Sequence, residues 1–177
     1  MRRIVVMIAC ALVAVPSAYA ASRATGDGVL ELKSVAGTVT IGKEGQPARG
    51  ILWGQMDKGR LVVVDPVPGD AQTIFVSGWE KRTVVNTAAD GTPMVIAYSG
   101  TDLHFRVTGG KYRLSFSGSG IDLTAVGIGV AYLAGDPLAT TAGDYALDSG
   151  KWVSVPVFLQ SQKTLAVPFG TQPSATP

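Results

Sequence analysis

A single histidine, His104, occurs in the 177-residue chain, so any imidazole-dependent reaction would have to pass through it. In SGTDLHFRVTGGKYRLS it stands between Asp102 and Arg106, and strand alternation sets all three on one face, where they would orient the ring and bias its proton. Ser115 is expected opposite, completing a Ser, His and Asp set. A working triad needs Asp and Ser on different ring nitrogens inside a concave site. Side chains in a row on an open strand face do not meet that demand. A hydrolase using His104 with Asp102 is therefore the alternative function rather than the first.

The same stretch carries a Gly-Lys pair and invites a nucleotide reading. Walker A needs GxxxxGK followed by Ser or Thr, with a helix behind the loop. The residue five before Gly110 is Phe105, and Tyr112 follows Lys111. At Gly37 to Lys43 the glycine spacing is right, yet Glu44 stands where the magnesium-binding hydroxyl belongs and would repel phosphate. Neither Gly118-Ser119-Gly120 nor Gly127-Ile128-Gly129 completes GxGxxG, because Leu123 and Tyr132 replace the third glycine. No nucleotide and no cofactor is expected. Metal chemistry fares no better: one histidine and no cysteine after the leader exclude the usual zinc sets. Asp144 and Asp148 lie on either side of Tyr145 and could share a calcium ion with turn carbonyls, but turn punctuation is the reading preferred for both.

Two groups of residues could bind rather than react. Arg106, Lys111 and Arg113 form a cationic set that could meet an anionic envelope polymer such as teichoic acid, lipopolysaccharide or nucleic acid. Trp79 follows Ser77-Gly78, and Trp152 alternates away from Val153 and Val155, so both are candidates to stack on sugar rings. Trp53, in Ile51-Leu52-Trp53, reads as core.

The elements positioning these residues are short strands. Helical periodicity is nearly absent, and β-branched runs alternate with Gly, Asp and Pro punctuation. Turns are expected at Asp57-Lys58-Gly59, Pro68-Gly69-Asp70, Asp90-Gly91, Gly135-Asp136-Pro137 and Asp148-Ser149-Gly150. Among the strands are Met94 to Tyr98, Leu103 to Thr108, Lys111 to Ser117, Ile121 to Thr124 and Ile128 to Leu133. A Gly109-Gly110 loop predicts a type I′ hairpin with Val107 opposite Tyr112 and Arg106 directly opposite Arg113. One face then collects Leu103, Phe105, Val107, Tyr112, Leu114 and Phe116, and the other collects Asp102, His104, Arg106, Lys111, Arg113 and Ser115. Over Ser99 to Gly129 the turn glycines and alternating apolar residues resemble small exported bacterial proteins of no established function. The resemblance implies export and an all-β fold, and implies no catalytic or binding residue.

The opening MRRIVVMIACALVAVPSAYA has the layout of a secretory signal, with cleavage expected after Ala20. Its loss removes Cys10, Arg2 and Arg3, leaving an uncharged balance of thirteen basic and thirteen acidic residues. The organisation expected is a signal peptide over 1–20, one all-β domain over 21–169 and a disordered tail over 170–177. The fold is a single-domain sandwich or distorted barrel of many short strands, with a β-solenoid as the alternative. Strands this short would not cross a membrane as a barrel, which needs roughly 9 to 11 residues each. No transmembrane span is expected in the mature chain. The reading that results is a secreted or periplasmic, cell-envelope or extracellular structural or binding module, non-enzymatic, for an anionic polymer or glycan.

Overall fold

The computed structural model describes residues 26–67, 73–158 and 163–171. The expected leader, the Pro68-Gly69-Asp70 turn and nearly all of the tail lie outside the described residues. Within them the chain is all-β and holds no helix. The strands are β1 (Gly28–Ile41), β2 (Ala48–Val64), β3 (Ile74–Ser77), β4 (Lys81–Thr87), β5 (Pro93–Gly135), β6 (Asp144–Leu147), β7 (Val153–Ser154) and β8 (Leu165–Phe169). They join in one hydrogen-bonded sheet.

The short strands expected from glycine punctuation merge. Five of the expected segments are one continuous strand, β5, of 43 residues. The expected turn at Asp57-Lys58-Gly59 lies inside β2. Strand length therefore no longer speaks against a membrane barrel, but the outward side chains of β2 do. Arg49, Gln55, Asp57, Lys58 and Arg60 are charged or polar and exposed, where a lipid-facing strand would be apolar.

Pairing explains how strands this long fit a small protein. Tyr112 pairs with Ala48, and its neighbour Arg113 pairs with Val64. A straight strand would hold the two ends of the 17-residue β2 about 50 Å apart. Adjacent residues cannot meet both ends unless β2 curls through a full lap. Partner numbers in β5 fall as those in β2 rise, from Ala48↔Tyr112 to Val64↔Val95 on one edge and from Arg49↔Ile128 to Val64↔Arg113 on the other. β2 is thus clamped between two successive laps of β5 and runs antiparallel to both. β1 continues the pattern, from Gly28↔Gly127 to Ile41↔Leu114 and from Gly37↔Gly135 to Ile41↔Ala131. The molecule is an antiparallel ribbon wound on itself, and Val64 meets Val95 and Arg113, eighteen residues apart.

Glycines mark where each lap bends. Gly135, Gly37, Gly118, Gly59 and Gly100 are successive cross-strand partners and form one line across the sheet. Gly28, Gly127 and Gly50 form a second. From Gly28 to Gly37, Gly50 to Gly59 and Gly118 to Gly127 the two lines are nine residues apart, which is half a lap. At such a corner neighbouring backbones close in. A Cβ on Gly59 would run into Ser117 O and the Gly118 Cα, and one on Gly118 into Lys58 O and the Gly59 Cα.

The hairpin expected at Gly109-Gly110 is not formed. Val107 pairs with Leu52 instead of Tyr112, and Tyr112 pairs with Ala48. Arg106 pairs with Trp53 and Phe75, and Arg113 pairs with Val64, so the two arginines are not opposite one another. Both glycines have positive φ, 88° and 74°, and they carry the chain round a corner instead of reversing it. β2 meets the hydrogen-bonding demand that the hairpin partner would have met. The division into faces survives this change of partner. Leu103, Phe105, Val107, Tyr112, Leu114 and Phe116 are all buried, while Asp102, His104, Arg106 and Lys111 are exposed. A two-residue corner preserves inside–outside parity just as a two-residue hairpin would.

One apolar core fills the wound ribbon, with the Phe105 and Phe116 rings 4.8 Å apart at its centre. Short strands extend both ends. β3 and β4 pair antiparallel with the first lap of β5, and β6, β7 and β8 extend the other end through β1 and the last stretch of β5.

Candidate functional site

Alternation along β2 sends Leu52 and Met56 into the core and turns Trp53 and Gln55 outward. Trp53, expected in the core, is 41% exposed. The register aligns outward side chains of neighbouring strands into two rows. The first runs Glu31, Thr124, Trp53, Arg106, Phe75. The second runs Asp122, Gln55, His104, Ser77. Together with Lys33 and Trp152 these residues line an open groove of about 600 Å³. The groove crosses five strand positions, from β1 through β5, β2 and β5 again to β3, and Trp152, just before β7, closes its β1 end. Three exposed aromatic residues mark it: Trp152 at the β1 end, Trp53 on β2, and Phe75, 61% exposed, on β3.

The residues expected to act together are distributed differently. Arg106, His104 and Trp152 share the groove. Lys111 sits at a corner beside Arg49. Arg113 lines a separate hollow with Lys43 and Glu44, which splits the expected cationic set. Trp79 packs against Tyr98, ring centroids 6.5 Å apart, and Arg82 lies over that same ring at 6.0 Å. It does not line the groove with Trp152.

His104 does have a carboxylate partner, since its Nε2 lies 3.2 Å from Asp102 Oδ1, but the Asp102 side chain is 86% exposed and solvent screens the pair. The serine expected opposite it is elsewhere. Ser115 pairs with Val62 and Thr40, and its Oγ lies 3.3 Å from Thr40 Oγ1. The serine beside His104 is Ser77, on β3, and Gln55 flanks the histidine on the other edge. The two aspartates considered for calcium serve the backbone and its edge. Asp144 Oδ1 accepts the Ser154 hydroxyl at 2.9 Å, and Asp148 Oδ1 accepts the Val29 N–H at 2.9 Å.

Trp53, Phe75, Glu31, Gln55 and Asp122 are among the groove residues that sequence reasoning missed. For Trp53 the signal was present, because its neighbour Leu52 is an inward position and period two then sends Trp53 out. For Phe75 there was none, because its place depends on β3 pairing with residues some thirty positions further along. Neither a family model, nor a curated protein, nor a solved structure matches this chain.

Proposed function

We propose that the groove binds an extended glycan and that the protein is a non-enzymatic binding module of the cell envelope or extracellular space. The observation that carries this reading is the placing of Trp152, Trp53 and Phe75 along one outward trough that crosses the strands. A sugar ring has an apolar face that covers an aromatic ring and a rim of hydroxyls that needs polar partners. Exposed aromatics set in a polar floor suit both. Trp53 and Phe75 are two strands apart, about 10 Å, and Gln55, Thr124 and Asp122 supply donors and acceptors between the aromatics. A trough of this length and openness favours a linear polymer over a compact ligand, which a closed pocket would bury more fully.

Tryptophan fluorescence titrated with cell-wall glycans of increasing length tests this. The signal is expected to change with chains of several sugars, and Trp53→Ala is expected to weaken binding about tenfold or more, as a central aromatic anchor does. Trp79→Ala, outside the groove, is expected to leave affinity unchanged. An unchanged spectrum across the panel would remove the proposal.

For the architecture we favour the sandwich. Corners nine residues apart flatten each lap into two halves whose inward side chains share one core, as two packed layers do. Export belongs to the same proposal. The protein recovered from envelope or medium is expected to begin at Ala21, read by mass spectrometry, and an intact leader there would contradict it. Among the described residues no helix is long and apolar enough to cross a membrane.

The contact between His104 and Asp102, on the rim of the same groove, favours one second reading, a glycan hydrolase. Product release from the bound glycans, lost in His104→Ala, would put that reading first; binding without turnover keeps the module.

A further inference from the structure

Resting on the glycan reading, we propose that the subsite between Trp53 and Phe75 takes an acidic sugar whose carboxylate is held by Arg106. Arg106 is the direct cross-strand neighbour of both aromatics, one strand spacing from each. A ring stacked on either would place a substituent over the guanidinium, about 5 Å to the side. Arg106 is exposed, and among the described residues it forms no ion pair. The nearby carboxylates are turned to other tasks or lie too far away. Asp102 faces His104. Asp122 Oδ1 accepts the Ser34 N–H at 2.8 Å. Glu31 stands three strand positions from Arg106 along the first row, about 14 Å.

Charge in the groove is therefore segregated. Acidic side chains sit with Lys33 toward Trp152, and the cation lies between the two aromatics at the β3 end. The planar guanidinium fork matches a carboxylate with two parallel hydrogen bonds, which gives Arg106 a geometric preference that a lysine would lack.

The test compares an oligogalacturonide with its carboxyl-reduced, neutral counterpart of equal length, both titrated at physiological ionic strength by fluorescence and calorimetry. Wild type is expected to bind the acidic chain about tenfold more tightly, the scale of one charge-assisted contact. Arg106→Gln is expected to bring the acidic chain down to the affinity that the same variant has for the neutral chain. Arg106→Lys is expected to fall between the two. Lys58→Gln, outside the groove, serves as the control for diffuse attraction and is expected to keep the preference. Equal affinity for the two chains in wild type would overturn the acidic subsite while leaving the glycan reading in place. A preference that survives Arg106→Gln, or that Lys58→Gln loses to the same degree, would also overturn it. Failure of both chains to bind would remove the subsite and the glycan reading together.

Discussion

Replacing Gly59 with alanine is expected to destabilise the protein by about 3 kcal/mol or more, combining backbone strain with overlap inside a close-packed corner. Gly59 has φ +150°, a conformation that side-chain-bearing residues rarely adopt, and its missing Cβ points at Ser117 O and the Gly118 Cα. The opposing atoms are backbone, held in the ribbon by pairing on both edges, so they cannot swing aside as a flexible side chain would. Gly91→Ala separates the two causes. Gly91 also has positive φ, +86°, but a Cβ there would meet nothing within 4 Å. Its cost is expected to be the conformational part alone, about 1–2 kcal/mol. Denaturant melts of wild type and both variants read the difference. If Gly59→Ala costs no more than Gly91→Ala, the corner is not the tight approach described.

Stability is expected to fall as pH rises above about 10, by up to about 1.4 kcal/mol per pH unit from one group, Tyr112. The Tyr112 side chain is fully buried, and its hydroxyl has no hydrogen-bond partner among the described residues. Burial, which disfavours the phenolate, pushes its pKa well above the ordinary tyrosine value. With the folded pKa raised above the unfolded one, the stabilising difference is complete below about pH 10 and is lost as pH climbs toward the folded value. Unfolded chains ionise there while folded ones cannot. Tyr112→Phe is expected to remove this part of the alkaline slope. At neutral pH the same variant is expected to be neutral or to gain about 1 kcal/mol, because a buried hydroxyl without a partner contributes only its desolvation cost. Melts of both proteins between pH 7 and 11.5 check both effects, and parallel curves would contradict the first.

Much of this molecule can be read from local pattern. The all-β character follows from β-branched runs without helical period. The buried set Leu103, Phe105, Val107, Tyr112, Leu114 and Phe116 follows from alternation alone. The glycines were legible too, but as punctuation they suggested strand ends. Their spacing carried more than their identity: Gly91, Gly100, Gly109, Gly118 and Gly127 recur every nine residues, and the last four of these fall in β5, where the spacing is half a lap. A corner glycine bends a strand that continues, whereas a turn glycine ends one. Composition at a single glycine does not distinguish the two, but a regular period does.

The site was less legible, for a related reason. Alternation says that Arg106 faces out, and it says so whether the chain reverses at Gly109-Gly110 or passes round a corner, because both are two-residue steps. It does not say what stands beside Arg106. A hairpin would have set Arg113 there; the wound ribbon sets Trp53 and Phe75 there, residues 53 and 31 positions away. Side-chain direction is a property of one strand, carried by its own backbone geometry. Neighbours across the sheet depend on which distant segments close upon one another and in what register. Only the winding, which brings both ends of β2 to Tyr112 and Arg113, selects that register and so makes one groove of Trp53, Arg106, Phe75 and Trp152.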